Sequence, residues 1–267
     1  MLLVALAILS GCGPVRAPAP VLATPILSPA EVLEAHNAWA DSIRHVWSRA
    51  ELRLNFPTGD PSSSRLTYDL DGHVFMAKPD RLYVHGAVLG QEVFKIGMNP
   101  ERFWLWVGPK VNSVWTGQRG GPGERRFIVS PADLMTALGL FRIELDPAVP
   151  GVFVAQDRHY VLSQDHVIAG EVLPRRRIWF DRATLRPARV DLYDDSGRCV
   201  LMAELLRYER AGDIDLCTVY RVHFYGDEEV AMVLQLSSVR LDKEPNPKVF
   251  EFAVPPEAKV NDLDKPE

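Results

Sequence analysis

The chain has little cysteine, no second long apolar run and no concentration of charge of one sign. Its three cysteines, Cys12, Cys199 and Cys217, are too few for a disulfide scaffold. A chain of 267 residues buries enough surface to need no such staple. Beyond the first dozen residues no stretch approaches the ~18 uninterrupted apolar residues of a membrane-spanning helix. Thirty basic and thirty-five acidic residues, net charge −5, are interspersed along the chain. That excludes a nucleic-acid partner and a purely electrostatic hold on anionic lipid. Chemical motifs are missing as well. There is no Gly-x-Ser-x-Gly elbow, no HExxH and no CxxC. Gly120-Gly121-Pro122-Gly123 lacks the Lys-Ser/Thr of a phosphate loop, and its proline removes an amide. Asp194-Asp195 and Glu228-Glu229 sit at turns, where solvent holds both carboxylates ionised. The sequence therefore predicts no enzyme: no catalytic residue, no metal site and no cofactor.

What is present begins at the first residues. An apolar run, Leu2–Leu9, leads into Ser10-Gly11-Cys12 with no Lys or Arg before it. It is too short to span a bilayer and reads as a processing segment, residues 1–11. Leu9-Ser10-Gly11-Cys12 is similar to the lipobox of bacterial lipoproteins. The resemblance implies a covalent diacylglycerol on Cys12, which becomes the N-terminus after cleavage and anchors the rest to a membrane. Residues 12–28, with Pro14, Pro18, Pro20 and Pro25, form a semi-rigid polyproline tether.

Ser28-Pro29-Ala30-Glu31 is a capping box with proline at the first helical position. Val32, Leu33, His36, Trp39, Ala40, Ile43, Val46 and Trp47 follow at three- and four-residue spacing, predicting an amphipathic helix to about Ala50. The period then changes to two. Strands are expected at Glu51–Phe56, Arg65–Leu70, His73–Lys78, Arg81–Ala87, Glu92–Met98 and Arg102–Val107. The hairpin at Asn99-Pro100 sets Phe94 opposite Leu105 and Ile96 opposite Phe103, with Trp104 and Trp106 on the other face near Lys95. A Gly-rich break at Gly117–Gly123 precedes a short helix, Pro131–Leu138, capped by Ser130. Strands resume at Gly151–Ser163.

A meander closes the chain: Arg176–Asp181, Ala188–Tyr193, Cys199–Tyr208, Leu216–Tyr225 and Val230–Arg240. Turn registration points Ile178, Phe180, Val190, Leu192, Leu201, Ala203, Leu205, Leu216, Tyr220, Val222, Phe224, Met232 and Leu234 inward. Cys199 also points inward and Cys217 outward, so the two do not pair. Two helices among so many strands predict a mainly β (α+β) domain over 29–258, with a tail at 259–267. Its architecture is a strongly curved antiparallel sheet or unclosed β-barrel whose helices lid the concave face.

Such a sheet places Trp39, Ile43, Phe94, Ile96, Phe103, Leu105, Leu134, Leu138, Phe180, Leu192, Leu201, Tyr220 and Phe224 around one interior. Trp115, Phe127 and Phe141 lie nearby. These side chains read either as plain core or as the lining of a hydrophobic cavity for an apolar ligand. His159 and His166, with Asp157 and Asp165, flank an expected hairpin and read as ordinary turn polar groups. Arg175-Arg176-Arg177 reads as a solvated strand face or edge protection, with a lipid-headgroup contact as the alternative.

The order of elements, the segment Pro187-Ala188-Arg189-Val190 through Asp195-Ser196-Gly197, and the ending Phe250-Glu251-Phe252 before Pro255-Pro256 resemble the bacterial outer-membrane lipoprotein-sorting proteins, the LolA/LolB-like group. The resemblance implies an unclosed barrel with a helical lid and a cavity for lipid or lipoprotein acyl chains. Carriers of the group are soluble and receptors are anchored, so Cys12 makes this chain look like a receptor. Gly13 is not the aspartate of inner-membrane retention, which implies the outer membrane, facing the periplasm. The expected partners are acyl chains, the anchoring membrane and a periplasmic carrier protein, for a monomer. Receptors also carry an exposed Leu loop for membrane insertion, and none is identifiable in the sequence. The alternative is an envelope scaffold lipoprotein using the outer sheet face, with Trp104 and Trp106 as interface anchors.

Overall fold

The computed structural model describes residues 25–56, 65–108, 111–126, 130–146, 148–149, 151–226 and 229–265. The processing segment, Cys12, most of the tether and Phe127 lie outside the described residues.

The first helix, α1 (Pro29–Ser42), starts as its capping box requires. Ser28 N–H donates to Glu31 Oε2 at 2.7 Å, and Glu31 N–H donates to Ser28 Oγ at 3.4 Å. It does not run to Ala50. Ile43 is already extended (φ −101°, ψ 97°), and strand β1 (His45–Phe56) begins two residues later. Val46 and Ala50 face the core under a period of 3.6 or of 2, so periodicity does not separate the two readings. Hydrogen bonding to strands on both sides decides it. Trp47 consequently lies on the outer face, half-buried.

Strand β2 (Leu66–Ala77) is continuous where two strands and a turn were expected. Gly72 is no turn residue. A Cβ there would lie 1.8 Å from the His85 carbonyl oxygen, so the glycine permits close approach of the next strand. There follow β3 (Arg81–Val88), β4 (Gln91–Met98), β5 (Arg102–Val107) and β6 (Ser113–Gln118), the last of which the sequence reading missed. Two short helices, α2 (Pro122–Arg126) and α3 (Pro131–Ala137), lead to β7 (Val152–Ala155) and β8 (His159–Ile168). Then come β9 (Glu171–Asp181), β10 (Pro187–Tyr193), β11 (Cys199–Ala211), β12 (Ile214–Tyr225) and β13 (Glu229–Arg240). The expected tail instead forms β14 (Lys259–Asp262), which pairs parallel with β6 and extends the sheet.

The fourteen strands among the described residues make one sheet, in the order β14-β6-β5-β4-β3-β2-β1-β13-β12-β11-β10-β9-β8-β7. Every pairing but β14 with β6 is antiparallel. The chain meanders from β1 out to β6, crosses by α2 and α3 to the opposite edge, and meanders back from β7. The two meanders join where β13 pairs with β1. The crossing places α3 against β4, β10 and β11, so it spans both halves of the curved, unclosed sheet.

The inward set expected for the meander is buried throughout, from Ile178 and Phe180 at 0% exposure to Leu192 at 7%. Three registers differ. At the β4–β5 hairpin the pairs are Ile96 with Leu105 and Met98 with Phe103, while Phe94 faces Val107. This is a slip of two positions, which keeps every residue on its expected face. In β11, irregularities around Arg207 shift the alternation, and Tyr208 and its partner Cys217 join the core. Cys217 is therefore buried rather than outward. Cys199, expected inward, lies instead on the outer face beside Asp191, Arg189 and Met202, because the β10–β11 register shifts between Leu192 and Tyr193. Both cysteines are free thiols, and burial pushes the Cys217 thiol up to about 11.

Candidate functional site: the lidded apolar face

Every residue expected around the interior belongs to one apolar cluster on the inner face. Trp39, Ile43, Ile96, Phe103, Leu134, Leu138, Phe180, Leu192, Leu201, Tyr220 and Phe224 are buried there, and Phe94 and Leu105 pack against them half-buried. Phe141 also packs against the cluster. The sheet supplies the floor. Helix α1 supplies the roof, pressing Val32, His36, Trp39 and Ala40 down onto it.

The roof is held by specific polar contacts as well as by burial. His36 Nε2 donates to the Phe141 carbonyl at 2.9 Å, which fixes the tautomer and leaves the buried Nδ1 without a partner. Burial pushes the His36 pKa down to about 4, with the charges of Lys78, Arg186 and Arg176 adding to it. Asn37 makes a reciprocal pair with the backbone of Ile143: Nδ2 donates to the carbonyl at 2.9 Å and Oδ1 accepts from the amide at 2.8 Å. Asp41 pairs with Arg142. The 141–143 segment following α3 is thereby fastened to α1 as one unit. To the sheet, α1 is tied by Trp39 Nε1, which donates to the Asp215 carbonyl at 2.8 Å. Arg176, expected on a solvated face, lies over the Phe141 ring at 4.2 Å instead. Burial raises the pKa of Asp133, on α3, to about 6, helped by Glu124.

No protein-family model matches the sequence, and no curated protein does. Solved structures match by shape. A LolA superfamily protein from Nitrosomonas europaea superposes with a TM-score of 0.53 at 13% identity, covering 85% of this chain and 99% of its own. An outer membrane lipoprotein-sorting protein domain from Vibrio parahaemolyticus gives 0.54 at 13% identity, covering 82% and 94%. The chain has the LolA-like fold.

The outer face of this LolA-like sheet corrects one expectation. Trp104 and Trp106 do point away from the core, but they are only 1% and 7% exposed. The chain's own C-terminal segment covers Trp104, where Phe252 stacks with ring centroids 5.4 Å apart, and Trp106 Nε1 donates to Asn112 Oδ1 at 3.2 Å. Lys95 lies over Trp106 at 5.3 Å, as their shared face predicts. Neither tryptophan is free to anchor a partner. His159 and His166 do not flank a hairpin, contrary to expectation. Both lie on β8, opposite Asp181 and Leu173 respectively. Among the described residues no group of three or more His, Cys, Asp or Glu side chains is placed to hold a metal ion, and no helix is long and apolar enough to cross a membrane.

The structure also shows a loop that sequence reading missed. The β3–β4 turn is Leu89-Gly90, both in the left-handed region (φ 49° and 81°), and Leu89 is 101% exposed. Tight hairpins of this kind favour Asn-Gly. The signal was a leucine where turn chemistry calls for a small polar residue.

Proposed function

We propose that the protein is a non-enzymatic lipoprotein that binds lipid or lipoprotein acyl chains between its apolar inner face and its helical lid. In this reading a diacylglycerol on Cys12 anchors it in the outer membrane, facing the periplasm. It takes cargo from a periplasmic carrier and passes it to the membrane. The observation that carries the reading is the lid itself. A helix presses Trp39 and Val32 onto a continuous apolar floor, fastened by a few hydrogen bonds to backbone carbonyls. An acyl chain sliding beneath α1 replaces those side chains with equivalent apolar contacts, so the exchange needs only a modest free-energy difference. The fold likeness to lipoprotein-sorting domains supports the same reading, as does the bare leucine at the β3–β4 tip, suited to entering a bilayer surface. The scaffold alternative loses its proposed anchors, because Trp104 and Trp106 are buried.

Native mass spectrometry of the purified full chain tests the proposal, with co-purifying acyl lipid as the expected result. A chain that is empty, and that also fails to bind a fluorescent fatty acid, overturns it. Leu89→Asn forms the second arm. It should keep the fatty acid yet reduce sedimentation with phospholipid vesicles several-fold, while relieving turn strain worth about 1 kcal/mol.

A further inference from the structure

The two edges of the sheet are built differently. At one end β14 carries Lys259 and Asp262, the charges that normally discourage edge-to-edge pairing. At the other, β7 reads Val152-Phe153-Val154-Ala155. It has no charge and no proline, and among the described residues it pairs with β8 alone. Val152 and Val154 are 56% and 46% exposed. They continue into a cleft of about 400 Å³ on the outer face, lined also by Val161, Val172 and Trp179. Phe153 points to the inner face and stacks on Tyr160 at 5.5 Å.

This edge is self-complementary. From Gly151 to Ala155 it reads small-Val-Phe-Val-small, the same in both directions. Its backbone is phased to match. Gln156 N–H donates to the His159 carbonyl at 2.8 Å, so positions 156, 154 and 152 bond towards β8. By the alternation of an antiparallel ladder, 151, 153 and 155 direct their N–H and C=O groups at the open edge.

We infer that β7 is a homodimerisation edge. Two copies pair antiparallel about a two-fold axis at Phe153, joining their sheets into one. Position 153 meets its own copy and 151 meets 155, each as a hydrogen-bonded pair. Val152 of one copy lies beside Val154 of the other on the outer face, and the two Phe153 rings meet on the inner face. Such an isologous contact closes on itself, so it stops at the dimer.

Sedimentation equilibrium of the full chain over a concentration series tests this, with a concentration-dependent dimer expected. The double variant Val152→Lys/Val154→Lys sets like charges opposite one another and removes both valine contacts. It should weaken association by roughly a hundredfold, with the circular dichroism spectrum confirming that it folds. Val152→Asp/Val154→Lys places a carboxylate of each copy opposite an ammonium of the other and should restore the dimer. That rescue is specific to the 152–154 register and is not expected if the edge instead accepts an unrelated peptide. A wild-type monomer at every concentration, or a dimer indifferent to the lysine pair, overturns the inference.

Discussion

At the scale of single residues, a buried histidine and a half-buried aspartate oppose each other. The His36 pKa is depressed from 6.5 to about 4, so between those values the unfolded chain binds the extra proton and stability falls as pH drops. Asp133 is raised from 3.8 to about 6, so the folded chain binds the extra proton and stability rises over nearly the same interval. Each shift corresponds to about 3 kcal/mol by linkage, and in the wild type they largely cancel. His36→Gln should therefore gain stability as pH falls from 6.5 to 4, whereas Asp133→Asn should lose it. Urea denaturation at several pH values measures both slopes. Parallel pH profiles for the two variants and the wild type would show that these groups are not the titrating ones.

At the scale of elements, legibility tracked whether local pattern and long-range pairing agreed. The capping box fixed the start of α1, and alternation with turn residues located the closing meander with its inward face. The end of α1 was hidden because Val46 and Ala50 face inward in either conformation. Strand β6 was hidden by its neighbouring glycines. The inner-face residues were legible as one set, whereas the latch was not, because Asn37 and His36 find backbone carbonyls more than a hundred positions away. The covering of Trp104 was equally non-local. Phe252 lies in an extended segment carrying no strand signal, held by Asn99 Nδ2 donating to the Phe250 carbonyl at 3.2 Å and by β14 pairing. Phe252→Ala should cost about 1–2 kcal/mol, the loss of an aromatic contact and its buried area. It should also shift tryptophan emission to the red as Trp104 meets water. An unchanged spectrum would mean that other residues of the segment shield the indole.

At the scale of the whole molecule, the two meanders are joined through β1 and β13, where Leu52 lies opposite Leu234, both 2% exposed. The lid is fastened to both halves: α3 rests on β4 as well as β10 and β11, and α1 holds β12 through Trp39 and Asp215. A ligand entering beneath the lid can lift α1 and α3 together, because Asn37 and Ile143 bind them as one body, without parting the seam. Lid and seam should therefore respond differently. Hydrogen exchange with a bound fatty acid should rise in 29–42 and 131–137, whose polar ties are loosened, and stay unchanged or fall in β1 and β13. Protection rising uniformly through α1, α3 and the seam would mean that the ligand binds with the lid shut and that the inner face is not its site.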